Sequence, residues 1–169
     1  MAYFNRECVT VLSVDTSPVG LGAVLSQYDP KNPESRKVVM YASRGLTDVE
    51  SRYSQVEKES LALVWGCEKF HIYLYAKEFE VITDNKDVEL IFGKPTSKPK
   101  ARIERWCLRL IPYKFKITHK PGLGNIADFL SRNPDKSKIT SREDVNIADR
   151  YVNMIASSSI PKAISKKEL

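Results

Sequence analysis

Four carboxylates stand where the chain changes character. Asp15 closes the β-branched run VTVLSV, Asp84 follows the alternating EFEVIT, Glu59 lies within the long proline-free stretch 54–75, and Asp128 sits in IADFLSR. Nothing local would cluster them. If a fold brings them together, their repulsion and desolvation are severe unless cations neutralise them, and hard oxygen donors of this kind take Mg²⁺ or Mn²⁺. Two such ions held by carboxylates are suited to phosphodiester hydrolysis. Spacing alone is weak support, because a chain with 21 Asp and Glu offers many quartets.

Basic side chains form the second chemical signal. The net charge is +6, yet the excess is concentrated in residues 98–120, where Lys98, Lys100, Arg102, Arg105, Arg109, Lys114, Lys116 and Lys120 face a single acid, Glu104. Such a segment suits a phosphate backbone, with Trp106 as an apolar or stacking surface, although charge runs are commonly solvated helix faces. Arg102 and Arg105 are the leading backbone-contact candidates. Ser17 and Asn85 could bond a phosphate or the substrate; equally, Ser17 could shape its turn and Asn85 cap a helix.

The elements that must carry these groups follow from periodicity. Residues 9–14, 20–27 and 37–43 read as three successive strands, an antiparallel meander in which YDPKNPESR forms a loop. Residues 47–53 are polar, and 54–75 give one long helix opened by Ser54. On that helix Ala62 and Gly66 share the side of Glu59, so the helix approaches a sheet closely and Glu59 faces it. EFEVIT gives a fourth strand, NKDVELIF a short helix, KARIERWCLRL an amphipathic helix, YKFKITHK a half-buried strand, PGLGN a turn and IADFLSR a final helical piece. His71 on the long helix reads as a packing residue. Beyond about residue 134 the chain is polar, and VNIADRYVNMIA there could form a short helix.

Composition removes several classes. Cys8, Cys67 and Cys107 are odd in number and lack a CxxC pair, so neither a disulfide framework nor a zinc ribbon is encoded. The N-terminus has no signal-peptide pattern, and no apolar run approaches the roughly 20 residues of a membrane span. An intracellular protein is expected, with a leader at 1–8, one domain at 9–134 and a polar tail at 135–169.

Five collinear blocks carry a family resemblance: VDTSPVGLGAVLSQ (14–27), VVMYASRGLTDVESRYSQVEKESLALVWGCEKFHIYLY (38–75), FEVITDNKDVELIF (79–92), RIERWCLRL (102–110) and HKPGLGNIADFLSR (119–132). Residues 9–134 resemble the ribonuclease H domain of gypsy-type long-terminal-repeat retrotransposon polyproteins. The resemblance implies an α/β ribonuclease H-like fold, a mixed five-stranded sheet flanked by helices. It assigns the metal-binding, catalytic carboxylates to Asp15, Glu59, Asp84 and Asp128, with two Mg²⁺ or Mn²⁺ ions as cofactors. Glu57 competes with Glu59, but the family match of the E-x-L-A segment favours Glu59 and leaves Glu57 a surface or capping acid.

The implied activity is metal-dependent cleavage of the RNA strand of an RNA–DNA hybrid during reverse transcription. The implied partners are the hybrid and the reverse transcriptase and integrase portions of the same polyprotein, in a cytoplasmic retroelement particle or the nucleus. His119, at a family position that is often aromatic or His, could assist proton transfer or product release, or be an ordinary loop histidine. Thr16, Gly45 and Ala76 depart from the family pattern; Ala76 stands where Gly often follows YLY, a helix end that favours positive φ. The chain carries no YxDD-type polymerase motif, which motivates a second reading, a catalytically silent retroelement fragment that binds nucleic acid or protein.

Overall fold

The computed structural model describes residues 1–93, 101–121 and 126–134. Strand β1 (Val9–Thr16) pairs antiparallel with β2 (Gly20–Asp29), which pairs antiparallel with β3 (Asn32–Gly45). On the other side of β1 lie β4 (Glu78–Thr83) and β5 (Lys114–His119), each parallel to its neighbour, giving the order β3-β2-β1-β4-β5. This is the mixed five-stranded sheet expected, with the meander at one end.

The meander is longer than expected. Residues 28–36 are not a loop: β2 and β3 run on and pair to Asp29 and Asn32, around a tight turn at Pro30 and Lys31. The Asp29 carboxylate accepts the Lys31 N–H at 2.8 Å, and Pro33 is tolerated because β3 is an edge strand, where a missing donor costs the ladder little.

Thr47 opens a short helix, α1 (Asp48–Ser51), through a capping box with Glu50, a turn that the polar composition of 47–53 did not reveal. Ser54 does the same with Glu57 for α2 (Gln55–Lys69), as its N-cap role requires. The stretch to Tyr75 is not one helix, however. The chain leaves helical geometry at Phe70 and resumes in α3 (His71–Leu74), and Phe70 and Leu74 are both fully buried. No helix-breaking residue marks this bend; core packing imposes it. Helix α4 (Lys86–Gly93) follows β4, α5 (Ala101–Leu110) packs beside α2, and α6 (Ile126–Arg132) ends the described chain.

Two faces of the sheet are used differently. Leu12, Val14 and Ala23 meet α2 at Gly66, where an added Cβ would lie 3.0 Å from Val14, so this glycine sets the close approach of helix to sheet. The core continues through Leu63, Val64, Val81 and Val88 to Ile103, Trp106 and Leu110 of α5. On the opposite face α6 lies on β2 at Gly20 and Gly22, where any Cβ would run into the backbone of Ala127 and Ser131. Asp15 is the register partner of Gly22 and therefore faces α6. The PGLGN turn falls partly, and the 135–169 tail with its VNIADRYVNMIA stretch wholly, outside the described residues.

Candidate metal centre

Strand ends and one helix start deliver three acids to one point. Asp15 lies one residue before the end of β1, Asp84 directly after β4, and Glu59 in the second turn of α2. Because β1 and β4 are adjacent and parallel, their C-terminal ends are neighbours, and α2, packed on β1 and β2, brings Glu59 to that edge. One carboxylate oxygen from each of Asp15, Glu59 and Asp84 lies within 4.8 Å of the others. Asp15 and Glu59 are buried, at 2% and 3% exposure, while Asp84 is exposed and opens the site to solvent.

The electrostatic cost is visible in both buried acids. Burial, then the neighbouring Asp84 and Asp15 charges, push Glu59 up to about 9 against a weaker lowering by the Gln55 amide. Burial raises Asp15 to about 6, opposed by a hydrogen bond from Ser131 and reinforced by the Asp84 and Asp128 charges. Gln55 Nε2 donates to Glu59 Oε1 at 2.7 Å, whereas Glu59 Oε2 is buried without a hydrogen-bond partner. A buried carboxylate oxygen left open beside two more carboxylates is a donor set that fits a hard divalent cation.

Asp128 is near this cluster but not in it. Its carboxylate is half-exposed and accepts from Arg132 Nε at 2.7 Å, one turn along α6. The residue that reaches from α6 into the site is Ser131, fully buried, whose hydroxyl lies 2.9 Å from both Asp15 Oδ2 and the Asp128 carbonyl oxygen. Ser17 completes the link by donating to the Ser131 carbonyl oxygen at 2.6 Å and accepting the Val19 and Gly20 N–H groups. Ser17 thus shapes its turn and docks α6.

The remaining candidates are occupied in various ways. Asn85 Oδ1 accepts the Asp87 N–H at 2.9 Å and caps α4. His119 donates its backbone N–H to Glu89, and its Nε2 lies 3.0 Å from the Asp84 carbonyl oxygen, to which it donates in the Nε2–H tautomer. His71 packs as expected, its Nδ1 2.7 Å from the Tyr113 hydroxyl. Arg102, half-exposed, is already partnered: it pairs with Glu57 at 2.8 Å and lies over Tyr53 at 4.1 Å from the ring centre. Glu57 is accordingly both the capping acid of α2 and a buried ion-pair partner. Arg105 is exposed, and Arg109 is paired with Glu68 at 2.7 Å.

Gln55 and Ser131 were not among the residues that sequence reasoning selected. Both lie one helical turn from an acid that was, Gln55 four before Glu59 and Ser131 three after Asp128, a spacing that places them on the same helix faces.

Residues 5–113 match the family described as the RNase H-like domain found in reverse transcriptase. Among curated relatives, the retrovirus-related Pol polyprotein from transposon 297 of Drosophila melanogaster is 39% identical over 72% of this chain. That from transposon gypsy of the same organism is 37% identical over 72% of it. The chain spans 11% of the length of each. Among solved structures, RNase H1 of the archaeon Halobacterium salinarum overlays 75% of this chain and 97% of its own at a TM-score of 0.53 and 14% identity.

Proposed function

Because the chain belongs to the RNase H-like domains found in reverse transcriptase, among those of long-terminal-repeat retrotransposon polyproteins, we propose that it hydrolyses the RNA strand of RNA–DNA hybrids during reverse transcription. The products are 3′-hydroxyl and 5′-phosphate ends. The observation that carries this reading is the convergence of Asp15, Glu59 and Asp84 from two strand ends and a helix.

Asp15, Glu59 and Asp84 would hold the ions, Mg²⁺ or Mn²⁺, with Asp128 at the edge of the set. Two divalent ions, when bound, would supply Lewis-acid chemistry for the attack of water and the departure of the 3′ oxygen. The chain's own residues do the rest. Burial of Asp15 and Glu59 removes competing water, the exposed side of Asp84 admits the phosphate, and Ser131 holds Asp15 in place. His119, anchored at the Asp84 carbonyl oxygen, stands where an imidazole could take or give a proton at the site's edge. Arg105 is the exposed α5 cation available to a backbone phosphate.

In this reading 9–134 is the catalytic domain, 1–8 a leader and 135–169 a linker towards an integrase region, with the reverse transcriptase portion of the polyprotein as the other partner. The setting is intracellular, a cytoplasmic retroelement particle or the nucleus. The test is cleavage of an end-labelled RNA–DNA hybrid by the purified chain with Mg²⁺, with Mn²⁺ and with chelator, beside an RNA–RNA duplex. Metal-dependent cutting of the hybrid's RNA strand alone is expected. Hybrid binding without cutting under every condition would instead favour a silent binding fragment.

A further inference from the structure

We propose that Gln55 is a positioning residue for Glu59, tying one carboxylate oxygen so that the other alone is presented to a divalent cation. The inference rests on the metal-dependent reading above and deepens it.

Glu59 has a task that conflicts with its surroundings. Its carboxyl group must stay beside those of Asp15 and Asp84, held at one point before any ion arrives. Without a restraint, rotation about its last torsion exchanges the two oxygens, and the side chain can swing from the cluster. Gln55 supplies the restraint. Its Nε2 donates to Oε1 at 2.7 Å, while Oε2 keeps no hydrogen-bond partner although it is buried.

The chemistry of the donor matters. A Lys or Arg at position 55 would also hold Oε1, but it would neutralise the charge that attracts the ion. A primary amide orients the carboxylate and leaves its charge intact. Gln55 is itself well placed for this, because it occupies the first position of α2, whose start is fixed by the reciprocal Ser54–Glu57 cap and by the Arg102–Glu57 pair. Outer partners of metal ligands commonly change affinity or activity by about 10–100-fold when removed.

The experiment is titration of the whole chain with Mn²⁺ and with Mg²⁺, without nucleic acid, by calorimetry and by thermal shift. Four proteins are compared: the parent, Gln55→Met, Glu59→Ala and the double variant. Gln55→Met keeps the length of the side chain and loses the donor. Because the lost donor serves a buried carboxyl group, a metal-free Tm at or somewhat below the parent's is expected, and affinities are compared at a temperature where all four proteins are folded. Ion affinity is expected to fall about 10-fold or more in Gln55→Met, and Gln55→Met should have no further effect once Glu59 is Ala, a non-additivity that a generally structural role would not produce. Equal affinity of parent and Gln55→Met overturns the positioning role and leaves the metal site standing. Absence of ion binding by the parent overturns both.

Discussion

Asp15 and Glu59 are acids that the fold buries at a cost and holds ready for positive charge. Asp84 shares their repulsion, so Asp84→Asn is expected to abolish cleavage of the hybrid while the metal-free Tm stays at or above the parent's, since a clustered charge is removed. Parallel cleavage and melting assays check this; retained activity in a folded Asp84→Asn protein would remove Asp84 from the site. Ser131 is the second test at this scale. Ser131→Ala takes a donor from a buried carboxylate and removes one tie between α6 and β1, a loss of about 1–3 kcal/mol in a urea titration. The same change should push Asp15 further up, because the Ser131 hydrogen bond is the largest influence lowering it.

Helices α3 and α5 show how an element's context decides what a residue does. Ala76, just after α3, has φ 58°, the left-handed region. A non-glycine residue pays about 1–2 kcal/mol there, while glycine costs about 0.4–1 kcal/mol more unfolded-chain entropy than alanine. The first effect wins, so Ala76→Gly should stabilise the protein by about 0.5–1 kcal/mol, read as a higher denaturant midpoint at unchanged slope. On α5 the two arginines separate. Arg102→Ala should cost about 1 kcal/mol of stability through the lost Glu57 pair and Tyr53 stacking. Arg105→Ala should leave Tm unchanged, weaken hybrid binding and lower its salt slope by about 1. An unchanged slope would remove Arg105 from the interface.

Much of this arrangement was legible in the sequence because its signals are local. Acids that punctuate β-branched runs mark strand ends, so Asp15 and Asp84 could be placed, and helical spacing set Glu59 on the side of Gly66. What was not legible depends on tertiary contact. The bend at Phe70 follows from the burial of Phe70 and Leu74, with no breaker in the chain, and the β2–β3 extension hides a Pro that only an edge strand accepts. Arg102 reads as a surface cation until Glu57, 45 residues away, is seen beside it.

For the whole molecule the two buried acids set the pH response. Both are raised when folded, so the stability they contribute is fully present below the ordinary carboxylate range, about pH 4, and is lost as pH rises through about 6 for Asp15 and about 9 for Glu59. Metal-free protein should therefore lose stability from pH 5 to 9. A divalent ion displaces those protons and favours the charged forms, so saturating Mg²⁺ should flatten the decline. Urea midpoints across that range, with chelator and with Mg²⁺, measure both slopes; parallel slopes would mean that the ion does not bind these acids.

The strand order also divides the acids by folding history. The β1–β2–β3 meander joins neighbours in sequence, whereas the β1–β4 pairing that brings Asp84 to Asp15 must close a loop containing all of β2, β3 and α2. Local pairings form early and long loops close late, and the last contacts to form are commonly the first to open. A native fluctuation that parts β4 from β1 would disperse the carboxylates while the hairpins survive. Amide exchange should then show β4 and β5 opening at lower free energy than β2, with bound divalent ions narrowing that gap: the ion would act as a clasp across the sheet's most distant seam.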